Sequence, residues 1–356
     1  GTLAGVQSAN RALDINPDDI ESVSILKGPA AAALYGQAAG NGAIIYTTKK
    51  GKQGKGLGIT YSGSLEVSNV SQLPEIQSKY GQGAGGVYDA TTPNSWGPDL
   101  SKTGGTAYDN LDNFFQTGLS YVNNLAIVGG NDKSTFRVSL NATNSDGVIP
   151  ESSMDRYSTR LTADSKLADW LSVSGSMSYT NTKSTLVQNG SNTSGVMLGL
   201  LRMPVDYDVR DYFDPLTGYN KNYFGSYDNP LYTVKRNPYT DENDRMFGNF
   251  SFDVKFNDLL SLTSKTGVDA YNTTSKQIYS YSSNGNDYGD GSGQVNIIKV
   301  GYRNLYSDLL LKFKKSFGED NAYSISALLG GNYNYTQMLR RPGAHVGRGF
   351  YKIIFP

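Results

Sequence analysis

From about residue 57 onward the chain sorts its side chains by odd and even position. Within Ser134–Ala142, Ser134, Phe136, Val138, Leu140 and Ala142 share one parity, and Thr135, Arg137, Ser139 and Asn141 share the other. Tyr157, Thr159, Leu161, Ala163 and Leu167 alternate with Ser158, Arg160, Thr162, Asp164 and Lys166. Leu171, Val173, Gly175, Met177 and Tyr179 alternate with Ser172, Ser174, Ser176, Ser178 and Thr180. Phe250 to Phe256, Leu309 to Phe313 and Tyr323 to Tyr335 repeat the pattern. A period of two places neighbours on opposite faces of a strand. Several runs last roughly 10 to 15 residues, whereas soluble strands average about 5 to 6 and a tilted strand needs roughly 9 to 11 to cross a bilayer.

Short turns (Ala168-Asp169-Trp170, Asn257-Asp258, Gly318–Asn321) alternate with long polar segments, 186–244 and 272–301. Short turns at one end and long loops at the other are the asymmetry of outer-membrane barrels. Tyr157, Tyr179, Tyr271, Tyr333 and Tyr335 are expected to form an aromatic girdle on the apolar face. No run of about 18 apolar residues occurs, which excludes a membrane-spanning helix and leaves strands as the means of crossing. By the same parity, Val138→Arg and Val173→Arg are expected to block assembly, and Ser139→Arg and Ser174→Arg to be tolerated.

Charge and composition narrow the chemistry. Lys+Arg and Asp+Glu both number 32, so no bulk positive field suits nucleic acid. With no Cys, a single His (His345, placed in a loop) and no carboxylate pair singled out by spacing, hydrolytic and metal-centred chemistry is unsupported. No catalytic residue, metal or cofactor is assigned. GQGAGG at Gly81–Gly86 matches G-x-G-x-x-G in letters alone, because no strand precedes it and no helix follows. Asn286, Asp287 and Asp290 lie among glycines without the spacing of a calcium loop. Residues 193–203 read as a short core-packing helix before Pro204.

Residues 1–56 follow other rules. Asn16 is suited to cap a short helix with Pro17 at its first position and Asp18 and Asp19 in its first turn. Val23–Leu26 is a strand stopped by Lys27-Gly28-Pro29, and Ala30–Tyr35 is a helix ended by Gly36. Asn41-Gly42 turns the chain into a second strand, Ala43–Thr48, and Lys49, Lys50, Lys52 and Lys55 form a flexible basic linker.

The opening segment resembles the plug domain of TonB-dependent outer-membrane transporters, and more narrowly the SusC/RagA type of Bacteroidetes. The resemblance rests on Asp19-Ile20-Glu21, Ile25-Leu26-Lys27-Gly28, Ala33-Leu34-Tyr35-Gly36, Asn41-Gly42 and Thr47-Thr48-Lys49-Lys50-Gly51. Phe114–Gly118, Gly129-Gly130-Asn131, Gly147–Pro150, Asp214-Pro215 and Asn229-Pro230-Leu231 resemble later parts of the same family. It implies an all-β membrane protein: residues 1–56 as the C-terminal part of the plug, and 57–356 as the N-terminal part of the barrel. Family barrels have 22 strands, and about 8 to 10 are countable here, so a partial chain is expected.

The resemblance further implies import of oligosaccharide or peptide across the outer membrane of a Gram-negative bacterium. The implied partners are a SusD-like surface lipoprotein, the TonB–ExbB–ExbD complex and outer-membrane lipid. Glu21, Lys27, Gly28, Pro29, Tyr35, Gly36, Asn41 and Gly42 carry the plug motif. Gly28, Pro29, Gly36 and Gly42 are expected to set turns, and Glu21 and Lys27 to pair with Arg137, Arg160 or Lys166 on the inner wall. Tyr207, Tyr212, Tyr219 and Tyr223, in an aromatic-rich loop, are expected to touch substrate or lid. That loop could equally be a folded unit with its own aromatic core. A passive or adhesive barrel and a soluble β-rich glycan-binding protein remain open at this point.

Overall fold

The structure is a computed structural model that describes residues 14–28, 31, 39–54, 56–188, 192–285, 290–318 and 322–346. Early in the described residues lies a 3-10 turn at Pro17–Asp19, capped by the Asn16 side chain, which accepts a hydrogen bond from the Asp18 amide at 3.2 Å. Proline at the first position loses no hydrogen bond there. Strands β1 (Ile20–Leu26) and β2 (Ala43–Thr48) then pair antiparallel. Gly42 has φ of +110°, and a Cβ there would lie 2.9 Å from the Leu26 carbonyl oxygen, so this turn requires glycine. Gly28 likewise turns with φ of +59°. Pro29, Tyr35, Gly36 and most of the expected Ala30–Tyr35 helix lie outside the described residues.

The strands described after residue 57 form one antiparallel sheet. Its strands are β3 (Gly58–Ser68), β4 (Gly118–Gly130), β5 (Ser134–Asp146), β6 (Ser153–Ala168), β7 (Leu171–Leu186), β8 (Tyr239–Lys255), β9 (Leu260–Tyr279), β10 (Gln294–Phe317) and β11 (Tyr323–Val346). They are ordered as they occur in the chain, each bonded to its sequence neighbours. The turns at one end are tight. Asn131 Oδ1 accepts from the amides of Lys133 and Ser134, and Asn257 Oδ1 from those of Leu259 and Leu260, all at 2.9 Å. Such Asx turns let a short polar loop satisfy its own backbone.

The two faces of this sheet invert the usual order of a soluble protein. Arg137, Ser139, Asn141, Thr143, Arg160, Thr162, Ser178 and Thr180 are all buried, while Leu140 is 48% exposed and Leu161 50%. Register confirms the sorting: Leu140 faces Leu125 and Thr159, Leu161 faces Val138 and Met177, and Arg160 lies between Ser139 and Ser178. Apolar residues outside and polar ones inside are stable only where the exterior is hydrocarbon. On β7 the apolar outer run extends from Leu171 to Tyr179. At ~3.3 Å per residue that is ~26 Å of strand, about the height of an outer-membrane band before tilt. Trp170 and Phe256 border it at the tight-turn end, and Tyr121, Tyr157 and Tyr179 at the other.

Three expectations change. Tyr271 is on the inner face, opposite Arg245 and stacked on Tyr302 with centroids 4.8 Å apart, because its parity is that of the lumen. Residues 272–279 and 294–301 are strand. On β9 the alternation fades because both faces are polar there, and on β10 because Val295 and Ile297 on one face and Ile298 and Val300 on the other put apolar residues on both; the ladder itself continues. His345 also lies in a strand by its backbone, opposite Val295.

Val138→Arg and Leu161→Arg should each cost roughly 2–4 kcal/mol of membrane insertion and abolish the heat-modifiable folded band on gels. Ser174→Arg, on the inner face where the Ser174 hydroxyl meets Ser251 at 2.7 Å, should retain it. Ser139 is unsuited as the tolerant control: it is 4% exposed and sits opposite Arg160. Equal assembly of the inner- and outer-face variants would contradict the orientation.

Candidate functional site

The polar inner face needs partners, and Asp14, Asn16, Asp19 and Thr48 supply them. Asp19, buried at the end of the 3-10 turn, accepts from Arg137 of β5 at 2.9 Å. Asp14, 3% exposed, accepts from Arg245 of β8 at 3.1 Å, and Arg245 also grips Asp269 through two parallel hydrogen bonds of 2.9 and 2.8 Å. Arg160 of β6 donates to the Thr48 hydroxyl at 2.9 Å, and Thr180 of β7 donates to the Asp14 carbonyl at 3.1 Å. The Asn16 amide reaches Asn124 Oδ1 at 3.2 Å, which also receives the Asn141 amide at 2.7 Å. One short segment is thus tied to strands β4 to β8 by ions, amides and hydroxyls.

The acids in this interface are Asp14 and Asp19, not Glu21. Pairing between β1 and β2 slips between Ile20 and Ser22, which leaves Glu21 on an irregularity, exposed to solvent. Lys27 is exposed as well, and Lys166 pairs with Asp169 three residues on. A sequence signal existed: arginines of inner parity demand a buried acid, and Asp19 adjoins the capped turn that fixes its backbone. The linker is also more tethered than its composition implies. Lys50 reaches Asp164 at 3.1 Å, Gln53 the Asp132 carbonyl, and a Cβ on Gly51 would lie 2.4 Å from the Phe136 amide nitrogen.

At the long-loop end, segments 69–117, 187–238 and 280–293 fold on one another. Helices α1 (Leu100–Thr103), α2 (Val196–Leu201) and α3 (Pro230–Arg236) frame a core of Leu111, Phe114, Val196, Leu200, Val209 and Tyr223. As expected, α2 is a packing helix. Gly81–Gly86 docks here: the Gln82 amide bonds both Asp206 oxygens at 2.9 and 3.0 Å, and its side chain reaches the Tyr223 carbonyl at 2.9 Å. Gly81 allows that approach, since a Cβ would sit 2.3 Å from the Asp206 carboxylate.

The four loop tyrosines divide. Tyr223 is 6% exposed and belongs to the core, and Tyr207 and Tyr212 pack against it. Burial pushes the Tyr223 hydroxyl up to about 12 and the Tyr207 hydroxyl higher still. Tyr219 is 44% exposed, its ring 5.1 Å from that of Tyr281. Asp228 joins the second and third segments: it is 2% exposed, and accepts from the Ser283 hydroxyl and from the Asn284 amide at 2.8 Å. Burial outweighs these donors and raises its pKa to about 6. Among the described residues no group of three or more His, Cys, Asp or Glu is placed to hold a metal; Asn286 and Asp287 lie outside them.

Removing one member of a buried pair strands the other. Asp19→Ala should weaken docking of the opening segment by ~3 kcal/mol, read as earlier proteolytic cleavage near residue 20 in urea. Asp19→Ala combined with Arg137→Met should recover part of that loss. Asp228 holds its proton more tightly folded than unfolded, so loop stability should fall by up to ~3 kcal/mol as pH rises from about 4 to about 6. Hydrogen exchange of segment 187–238 should speed up across that window, and Asp228→Asn should flatten the response.

Comparison with known proteins gives the context of this geometry. The TonB-dependent Receptor Plug Domain family matches residues 2–43. TonB-dependent receptor SusC of Bacteroides thetaiotaomicron is 30% identical over 96% of the chain and 34% of its own length. TonB-dependent receptor P3 of Formosa agariphila is 29% identical over 93% of the chain and 32% of its own. The chain thus spans about a third of the length of these curated relatives. Among solved structures, the RagAB peptide importer in its closed-closed state superposes with a TM-score of 0.71 over 99% of this chain and 43% of that one, at 20% identity. An inverted antiparallel wall, a charged opening segment held against it and sequence likeness along nearly the whole chain lead to one conclusion: the chain is similar to TonB-dependent receptors of the SusC/RagA type in both sequence and fold.

Proposed function

We propose that this protein imports an oligosaccharide or peptide nutrient across the outer membrane of a Gram-negative bacterium, drawing energy through TonB. Residues 1–56 form the later part of the plug and residues 57–356 the earlier part of the barrel wall. The observation that carries this reading is the opening segment held to the inner wall by two buried ion pairs, Asp19–Arg137 and Asp14–Arg245. Those contacts are polar and directional. A pull that shifts the segment by a few ångströms breaks them together, whereas a broad apolar interface would yield gradually. A passive pore or an adhesive anchor has no use for such a removable obstruction.

The plug turns at Gly28 and Gly42 shape the hairpin, and Pro29, Tyr35, Gly36 and Asn41 complete the motif with it. Glu21 and Lys27, both exposed, are available to neighbours beyond the wall contacts described above. The folded loop unit is the natural seat for cargo and for a SusD-like lipoprotein. Tyr219 is the tyrosine best placed to touch either, with Tyr207, Tyr212 and Tyr223 acting through the core beneath it. The protein performs no bond chemistry in this account; it binds, obstructs and releases.

Growth of a deletion strain on defined oligosaccharides and peptides as sole nutrients tests the reading. Loss of growth on one class, restored by the intact gene only when TonB is present, is the expected outcome. Restoration without TonB would favour a passive pore. Unchanged growth with lost surface adhesion would favour the anchor. Tyr219→Ala should weaken surface binding of the same nutrient roughly tenfold, the scale of one exposed aromatic contact.

A further inference from the structure

The outer faces of β9, β10 and β11 are unusual in charge. Outward positions on β9 are the even residues from Leu260 to Ile278, and on β10 and β11 the odd residues from Val295 to Phe317 and from Tyr323 to Gly343. Asp and Glu are absent from this entire set. Four cations stand in its upper part: Lys276, Lys299, Arg303 and Arg341, all exposed. Lys299 and Arg341 are directly opposite each other, and Lys276 is diagonal to Lys299. Like charges set across a strand pair repel unless an anion lies between them. None of the four makes an ion pair among the described residues. The nearest outward acid is Glu242 of β8, diagonal to Lys276 across the β8–β9 pair and separated from Lys299 by the whole of β9.

The neighbouring wall at this height carries acids, with Asp244 of β8 also facing out. Asp155, Lys183 and Glu242 alternate in sign across β6, β7 and β8. The basic cluster also has a defined level. Arg303 is the first outward residue above Leu305, and below it Leu305, Leu309, Leu311 and Phe313 face out. On β11, Leu329, Tyr333, Tyr335 and Leu339 continue the apolar surface up to Arg341. The cations therefore crown an apolar face at the height where hydrocarbon gives way to headgroups.

We propose that Lys276, Lys299, Arg303 and Arg341 form a binding site for the phosphorylated headgroup of an outer-leaflet lipid, whose acyl chains descend over Leu305, Leu309 and Leu339. The phosphates neutralise the Lys299–Arg341 repulsion, and Arg supplies paired donors to phosphate oxygens. The inference rests on the membrane orientation of the wall, and the test separates the two.

The full-length protein, purified in detergent and delipidated, is titrated with bisphosphorylated lipid A, with the same lipid after removal of its phosphates, and with inorganic phosphate. Binding is read by native mass spectrometry and by thermal unfolding. The expected result is retention of the phosphorylated lipid with a raised melting temperature. Dephosphorylated lipid and inorganic phosphate should bind at least tenfold more weakly. Lys299→Gln with Arg303→Gln and Arg341→Gln should lose that preference while Lys183→Gln keeps it. Should the triple variant not assemble, Lys299→Gln alone must weaken binding by severalfold. Equal binding of both lipids would overturn the site while leaving the membrane-facing wall intact. Full effect from inorganic phosphate would overturn the lipid as its ligand. Absence of binding by either lipid, in a protein stable without detergent, would overturn the wall's orientation as well.

Discussion

A sheet with arginine and hydroxyl side chains on its inner face cannot leave them empty-handed. Arg137 and Arg160 are less than a tenth exposed, and a buried cation without a counter-charge or hydrogen bonds costs several kcal/mol. The opening segment answers that demand with two carboxylates, a threonine hydroxyl and an asparagine amide. Plug and wall are therefore parts of one electrostatic arrangement. Under the proposed function, the same polarity would let water replace each contact as the segment leaves.

The outer end of the molecule is built differently. Its loops carry an apolar core around Phe114, Leu200 and Val209, and buried amides such as Gln82 and Asn229 hold the backbone together. This unit is held by apolar packing, whereas the opening segment is held to the wall by ions and amides. Asp228 is a carboxylate buried where the loops meet, and its raised pKa makes that junction responsive to acidity.

Much of this was legible in sequence, for definite reasons. Alternation between Phe136 and Ala142, or between Leu171 and Thr180, fixes which side chains share a face regardless of tertiary context. The Asn16-Pro17 cap and the Asn41-Gly42 turn are local and were read correctly. The plug partners were misassigned because charge alone does not distinguish Glu21 from Asp19. The register slip after Ile20 decides it, and no composition rule foresees a slip. Tyr271 was placed outside because aromatic content suggested a girdle, although its odd number on β9 already placed it inside. The end of β9 shows no alternation because both its faces are polar there, and the start of β10 shows none because Val295, Ile297, Ile298 and Val300 fall on both parities. Tyr223 could not be told from Tyr219, since in an irregular loop no period marks the inside.

The central claim is that the sheet divides hydrocarbon from a polar interior, with the opening segment on the interior side. Nitroxide labels placed one at a time from Phe136 to Thr143, in the protein reconstituted in lipid, test it most directly. Collisions with dissolved oxygen should peak at Phe136, Val138, Leu140 and Ala142 and fall at Arg137, Ser139, Asn141 and Thr143. Flat profiles along the strand, or maxima at the odd positions, would contradict the account.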